Sequence, residues 1–158
     1  MAREIRTKLD GWTTFTQTLA SLTNGSARQS TIVTNSNNRP AALFFYRIQS
    51  GGTAPTAGAV YEIYLIRGTG QGTNERTDGA GSTDAPITVV NAQLVGTLVV
   101  TANPNTNFQD EFDTAPLGPL GTEFGSIVRN ASGQSLNATE GNHIKKYNLY
   151  LPEIQNET

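Results

Sequence analysis

The residue types that do chemistry are few in this chain and far apart. One histidine, His143, opens the segment "HIKKYNLYL". A serine hydrolase needs such a ring held by a carboxylate and facing a nucleophile, and no G-x-S-x-G turn is present to offer the serine. A lone histidine without cysteines makes no zinc site of the usual ligand set. His143 is therefore expected as a structural residue at a strand end. The segment "QDEFD" brings together Asp110, Glu111 and Asp113. Calcium takes roughly six to eight oxygen ligands from a loop that wraps it. On a strand, Glu111 and Asp113 share one face while Asp110 joins Phe108 and Phe112 on the other. That arrangement predicts an acidic edge turned to solvent or to a partner, not a cation cradle. The same spacing says little about a glycosidase acid pair, which must face each other across a sugar cleft.

The glycine-rich run "RGTGQGT" poses the question of a phosphate loop. A dinucleotide fingerprint is G-x-G-x-x-G opening directly into a helix. After Gly68 and Gly70, Gly72 stands one place early and Thr73 occupies the glycine position. The residues that follow, "NERTDGAGSTDAP", are too rich in helix breakers to continue as a helix. No Gly-Lys-Ser/Thr occurs either. The stretch from Gly68 to Pro86 is predicted instead to be a long surface loop that tolerates shortening. Four tyrosines, Tyr46, Tyr64, Tyr147 and Tyr150, could line a sugar-binding face, although packing in a core or interface is the commoner use of such rings. No catalytic residue, cofactor-binding residue or metal ligand is assigned, and the chain is expected not to be an enzyme.

Composition narrows the class further. Eleven basic and thirteen acidic residues leave a net charge of −2, with no electrostatic footprint for nucleic acid or an anionic membrane. No apolar run reaches the ~20 residues that span a bilayer, and the charged N-terminus lacks an apolar region of signal-peptide type. At 158 residues the chain is expected to hold one domain with a substantial core. Thr, Asn, Ser and Gly carry its polarity, a bias toward strands and turns.

Short apolar runs separated by turn residues predict an all-β, jelly-roll-like antiparallel sandwich of about eight strands. The expected strands are Ser30–Thr34, Ala41–Gln49, Ala59–Arg67, Ala92–Thr101, Asn107–Asp113, Glu123–Asn130 and His143–Leu151, the last closed by Pro152. "GQSLNA" reads as a further short strand. In Ala59–Arg67, Tyr61, Ile63 and Leu65 share one face; Leu94, Leu98 and Val100 share another in Ala92–Thr101. A first strand is placed at Thr14–Leu22, where helical spacing of Trp12, Phe15, Leu19 and Leu22 competes with a run of threonines. Residues 1–11 read as an N-terminal arm outside a sandwich formed by 12–158. Arg3, Ile5, Arg6, Lys8 and Leu9 are its candidate partner-binding residues, with Ile5 and Leu9 as apolar anchors.

Several segments together resemble a known family: "YLIRG", "RTDGAGSTDAPITVVNAQLVGTL", "PLGPLGTEFGSIVRNASGQSLN" and "KKYNLYLP". They look like the small jelly-roll structural proteins of tailed bacteriophages, among them capsid cement or decoration proteins. The resemblance covers roughly residues 59–152. It implies a virion structural protein on the capsid surface, commonly trimeric, that binds the major capsid protein where capsomers meet and has no active site. It also admits a place in a tail or as a fibre anchor. A carbohydrate-binding β-sandwich module is the alternative from a different class.

Overall fold

A computed structural model describes residues 3–156, with side chains from residue 7 to residue 151. The expected all-β architecture is what the chain adopts. Ten strands form two antiparallel sheets packed as a sandwich. The first sheet has four strands in the order β1 (Arg3–Thr14), β10 (Ile144–Asn156), β4 (Ala41–Gln49) and β8 (Asn107–Asp113). The second runs β6 (Ala85–Ile87), β2 (Ala27–Gln29), β9 (Glu123–Ala131), β5 (Val60–Gly68) and β7 (Gln93–Val99), and β3 (Val33–Thr34) also pairs with β9.

Strand alternation builds the core. Along β4 the even residues Ala42, Phe44, Tyr46 and Ile48 turn inward; along β5 Tyr61, Ile63 and Leu65 meet them. Phe15, Phe124 and Tyr147 knit the two layers, with the Phe15 ring 4.7 Å from Tyr147 and 5.1 Å from Phe44. Phe15 lies in the segment expected as the first strand. The chain leaves β1 at Thr14 and crosses from one sheet to the other, so residues 15–22 are neither strand nor helix. Phe15, Gln17 and Leu19 are nonetheless buried in alternation. Sequence period alone cannot tell this from a strand, because the backbone partners are distant: Glu140 Oε2 accepts the N–H groups of Leu19 and Ala20, each at 2.7 Å.

Other boundaries differ for equally local reasons. Of the expected strand at Ser30–Thr34 only Val33–Thr34, β3, is strand; β2 lies just before it, and between the two is a step where Ser30 Oγ accepts the Ser126 N–H. "GQSLNA" contributes only a single bridge, Leu136 with Ser50. A bulge in the β5–β7 pairing sets Ile63 opposite Gly96 but Tyr64 opposite Leu94. One extra residue flips the faces, so Leu98 is buried while Leu94 is 45% exposed. Pro152 does not close the last strand. It lies opposite Thr7, past the end of β4, whose Ala41 pairs with Tyr150. A missing N–H is tolerated where the strand has an open edge.

The expected N-terminal arm is, over Arg3–Leu9, the outer part of β1, paired in register from Arg3 with Asn156 to Leu9 with Tyr150. Beyond Tyr150 the first sheet consists of these two strands alone. A bulge at Asp10–Gly11 separates this ribbon from the sandwich proper. Gly11 adopts φ 104° there, a conformation that favours glycine, and its N–H donates to Asn148 Oδ1 at 2.8 Å.

Candidate functional site

The candidate chemical residues do not converge. His143 is buried, and both ring nitrogens are engaged. Nδ1 accepts the Gln49 N–H at 3.3 Å, which leaves Nε2 to donate to the Asn137 carbonyl at 3.1 Å. Burial pushes the ring's pKa below the ordinary histidine value. Asp110, Glu111 and Asp113 are exposed along β8. Among the described residues no group of histidine and carboxylate side chains is arranged to hold a metal ion. Asp113 accepts the Tyr150 hydroxyl at 2.6 Å and the Ala115 N–H at 2.9 Å.

The tyrosines do not share a platform. Tyr46 and Tyr147 belong to the core between the sheets. The Tyr46 hydroxyl is sealed in, 2.5 Å from Ser126 Oγ. Tyr64 packs on the far side of the second sheet, where its hydroxyl donates to Glu62 Oε2 at 3.0 Å. Tyr150 alone of the four faces outward from the first sheet, in the row opposite to Tyr147.

The glycine-rich loop corrects a further expectation. It is packed, not loose. Ile66 of β5 and Ile127 of β9 point out of the second sheet, yet both are fully buried, because the loop's Ala80 covers them together with Ile32, Ile87, Val89 and Ala92. Polar clamps fix it in place. Arg76 donates twice to the Glu123 carboxylate, at 2.7 and 3.1 Å. Asp78 accepts three successive backbone N–H groups, from Val90, Asn91 and Ala92, at 3.0, 2.6 and 3.0 Å. Burial works to raise the Asp78 pKa, but these bonds hold it below the usual carboxylate value. Gln29 grips the loop further on, donating to the carbonyls of Gly81 and Thr83 and accepting the Gly81 N–H. The clamping residues Glu123 and Gln29 lie far from the loop in sequence, which is why composition suggested a surface loop that tolerates shortening.

What the surface does offer is apolar. On the outer face of the first sheet, Trp12 is 43% exposed and meets the Phe45 ring edge-on, with centroids 6.2 Å apart. Ile144, Lys146 and Glu111 complete a shallow groove of about 350 Å³ around them. Leu9, 51% exposed, continues the same outward row toward the ribbon. Of the candidate partner-binding residues, Lys8 and Leu9 are exposed on β1. Arg3, Ile5 and Arg6 hold register positions on that strand, and their side chains lie outside the described residues. The Trp12 groove escaped the sequence reading, because it arises only when β1, β10, β4 and β8 are laid side by side.

Comparison with protein-family models, curated proteins and solved structures finds no match to this chain.

Proposed function

We propose that the chain is a non-enzymatic virion structural protein, a capsid cement or decoration protein that binds between capsomers and stabilises the assembled shell. The observation that carries this reading is the two-stranded ribbon. Six residue pairs, from Lys8 with Leu151 to Arg3 with Asn156, run on past the end of β4. At about 3.3 Å per residue they span about 20 Å. A two-stranded ribbon is marginal in water unless something covers it. Exposed Leu9 and Trp12 lie in line with it, on the face that also carries Phe45 and Ile144. Such a ribbon gains by ordering against neighbouring subunits, and a standard interface of about 1,600 Å² would accommodate it. Repetition around a shell then multiplies modest contacts.

The test is co-sedimentation with shells assembled from the major capsid protein and lacking this chain. The full chain is expected to attach and to raise the melting temperature of the shell. A chain beginning at Gly11 should attach poorly. Failure of the full chain to attach to any such shell would sink the reading.

A second reading, a carbohydrate-binding module, draws on a different observation: the Trp12–Phe45 pair flanked by Glu111 and Lys146. Aromatic faces beside polar groups suit sugar rings. A glycan array showing saturable binding that Trp12→Ala abolishes would favour it over the first.

A further inference from the structure

The first sheet ends in two open edges, and they differ in charge. β1 carries Arg3, Arg6 and Lys8 against Glu4 and Asp10, and Asp10 is held by two 2.7 Å bonds from Arg39. β8 carries Asp110, Glu111 and Asp113 with no basic residue, and all three are exposed. Every pairing in this sheet is antiparallel. With four strands, its two edges therefore run in opposite directions. Set side by side in the same orientation, β1 of one copy and β8 of the next continue the antiparallel pattern without either being turned over.

The rows of the sheet agree as well. Register through β10 and β4 places Lys8 and Asp110 in one row, and Leu9 and Glu111 in the other. Asp110 sits in the row that faces the sandwich interior, at its open rim, and its Oδ1 accepts the Glu111 N–H at 2.8 Å. A charge in that row discourages casual edge pairing. It discriminates in favour of a strand that brings a cation, and β1 does so. We propose that the chain assembles with itself head to tail, β1 of one copy adding as a strand to the β8 edge of the next. The interface is heterologous, so successive copies close into a ring where their rotation allows. It also brings the outward row of Leu9 and Trp12 alongside the neighbour's Glu111. This inference does not depend on attachment to a shell, and its test contains none.

Because the chain has no cysteine, introduced pairs report contact cleanly. Thr7→Cys is combined in turn with Asn107→Cys, Gln109→Cys and Glu111→Cys, all exposed positions in the outward row. On mild oxidation one of the three double variants should form covalent oligomers, since a disulfide needs Cα atoms within about 7 Å. The single Thr7→Cys variant should not. In sedimentation velocity, the double substitution Asp110→Lys with Glu111→Lys should weaken self-association at least about tenfold. Adding Arg6→Glu and Lys8→Glu to that same chain should restore it. The proposal is overturned if the full chain stays monomeric at about 100 µM, where specific contacts of ordinary strength would show. It is equally overturned by oligomers that none of the three pairs crosslinks, or by crosslinking of Thr7→Cys alone, which would mean that β1 meets β1.

Discussion

Deleting residues 70–79 should severely destabilise the protein, although loop length by itself costs little. Halving a loop changes its closure entropy by only about 0.6 kcal/mol, and a loose loop would be lost almost without effect. This loop is a lid. Its removal takes away Arg76, so Glu123 loses its partner, and Asp78, so three backbone N–H groups lose theirs. It also draws Ala80 off Ile66 and Ile127, both fully buried beneath the loop. Fully re-exposing an isoleucine costs roughly 1.5–3 kcal/mol; with Ile32, Ile87, Val89 and Ala92 still packed on them, the two are uncovered about halfway and together lose about 1.5–3 kcal/mol before any hydrogen bond is counted. A domain of this size has about 5–15 kcal/mol in total. At about 2–4 °C per kcal/mol, a fall of roughly 3–12 °C in melting temperature is expected, read by differential scanning calorimetry with urea unfolding as the check. A deletion variant melting within about 2 °C of the parent would refute the reasoning and return the segment to the status of a free loop.

Three further expectations follow from single side chains. Gly96 leaves no room for a Cβ, which would lie 2.1 Å from Phe112 Cδ1; Gly96→Ala should cost about 1–3 kcal/mol by overpacking, and a urea midpoint equal to the parent's would contradict the close approach. His143 is held neutral, and its pKa is lowered from 6.5 chiefly by burial. The unfolded chain therefore binds its proton first, and stability should be full above about pH 6.5 and fall as pH drops toward the folded value; His143→Gln should flatten that part of the pH profile, and an unchanged slope would show another group to be responsible. Asn130, fully buried, donates to the carbonyls of Leu22 and Gln134 and accepts from Ser132. Asn130→Ala should cost about 2–4 kcal/mol by leaving those groups unsatisfied, whereas a loss below about 0.5 kcal/mol in equilibrium unfolding would mean that water replaces the side chain.

The strands were legible wherever their own residues determine them. In β4, β5, β8 and β9 the apolar period, the β-branched and aromatic content and the flanking turn residues all point the same way, and the observed ends fall within about two residues of the expected ones. Tyr61, Ile63 and Leu65 face the core as their alternation requires. Legibility failed where a distant residue decides. Val95 is ordinary in sequence, yet the bulge beside it turns Leu94 outward. Residues 15–22 alternate like a strand, but their N–H groups go to scattered partners instead of one strand: Phe15 to the Lys145 carbonyl, Thr18 to Asp84, and Leu19 and Ala20 to Glu140. The lid reads as a dispensable surface loop because its apolar content is small, and its fastening comes from Glu123 and Gln29.

These failures share a cause that bears on function. The chain has few charges and no helix longer than one turn among the described residues, so its loops cannot be stiffened by helical hydrogen bonds. It uses buried or half-buried polar side chains as backbone clamps instead. Asp78, Glu140, Asn130 and Asn35 each bind two or more main-chain groups. Residues that elsewhere would be read as acids, bases or ligands are committed here to holding loops. Burial alone would raise the pKa of Glu140, yet its bonds to Lys145, Ala20 and Leu19 lower it and keep it charged in that role. A scaffold built this way leaves its unsatisfied bonding capacity in another place, along the open edges of its first sheet and on the ribbon that extends them. The edges β1 and β8 present backbone groups of this kind, and in the head-to-tail assembly proposed above the surface that meets each of them is another strand.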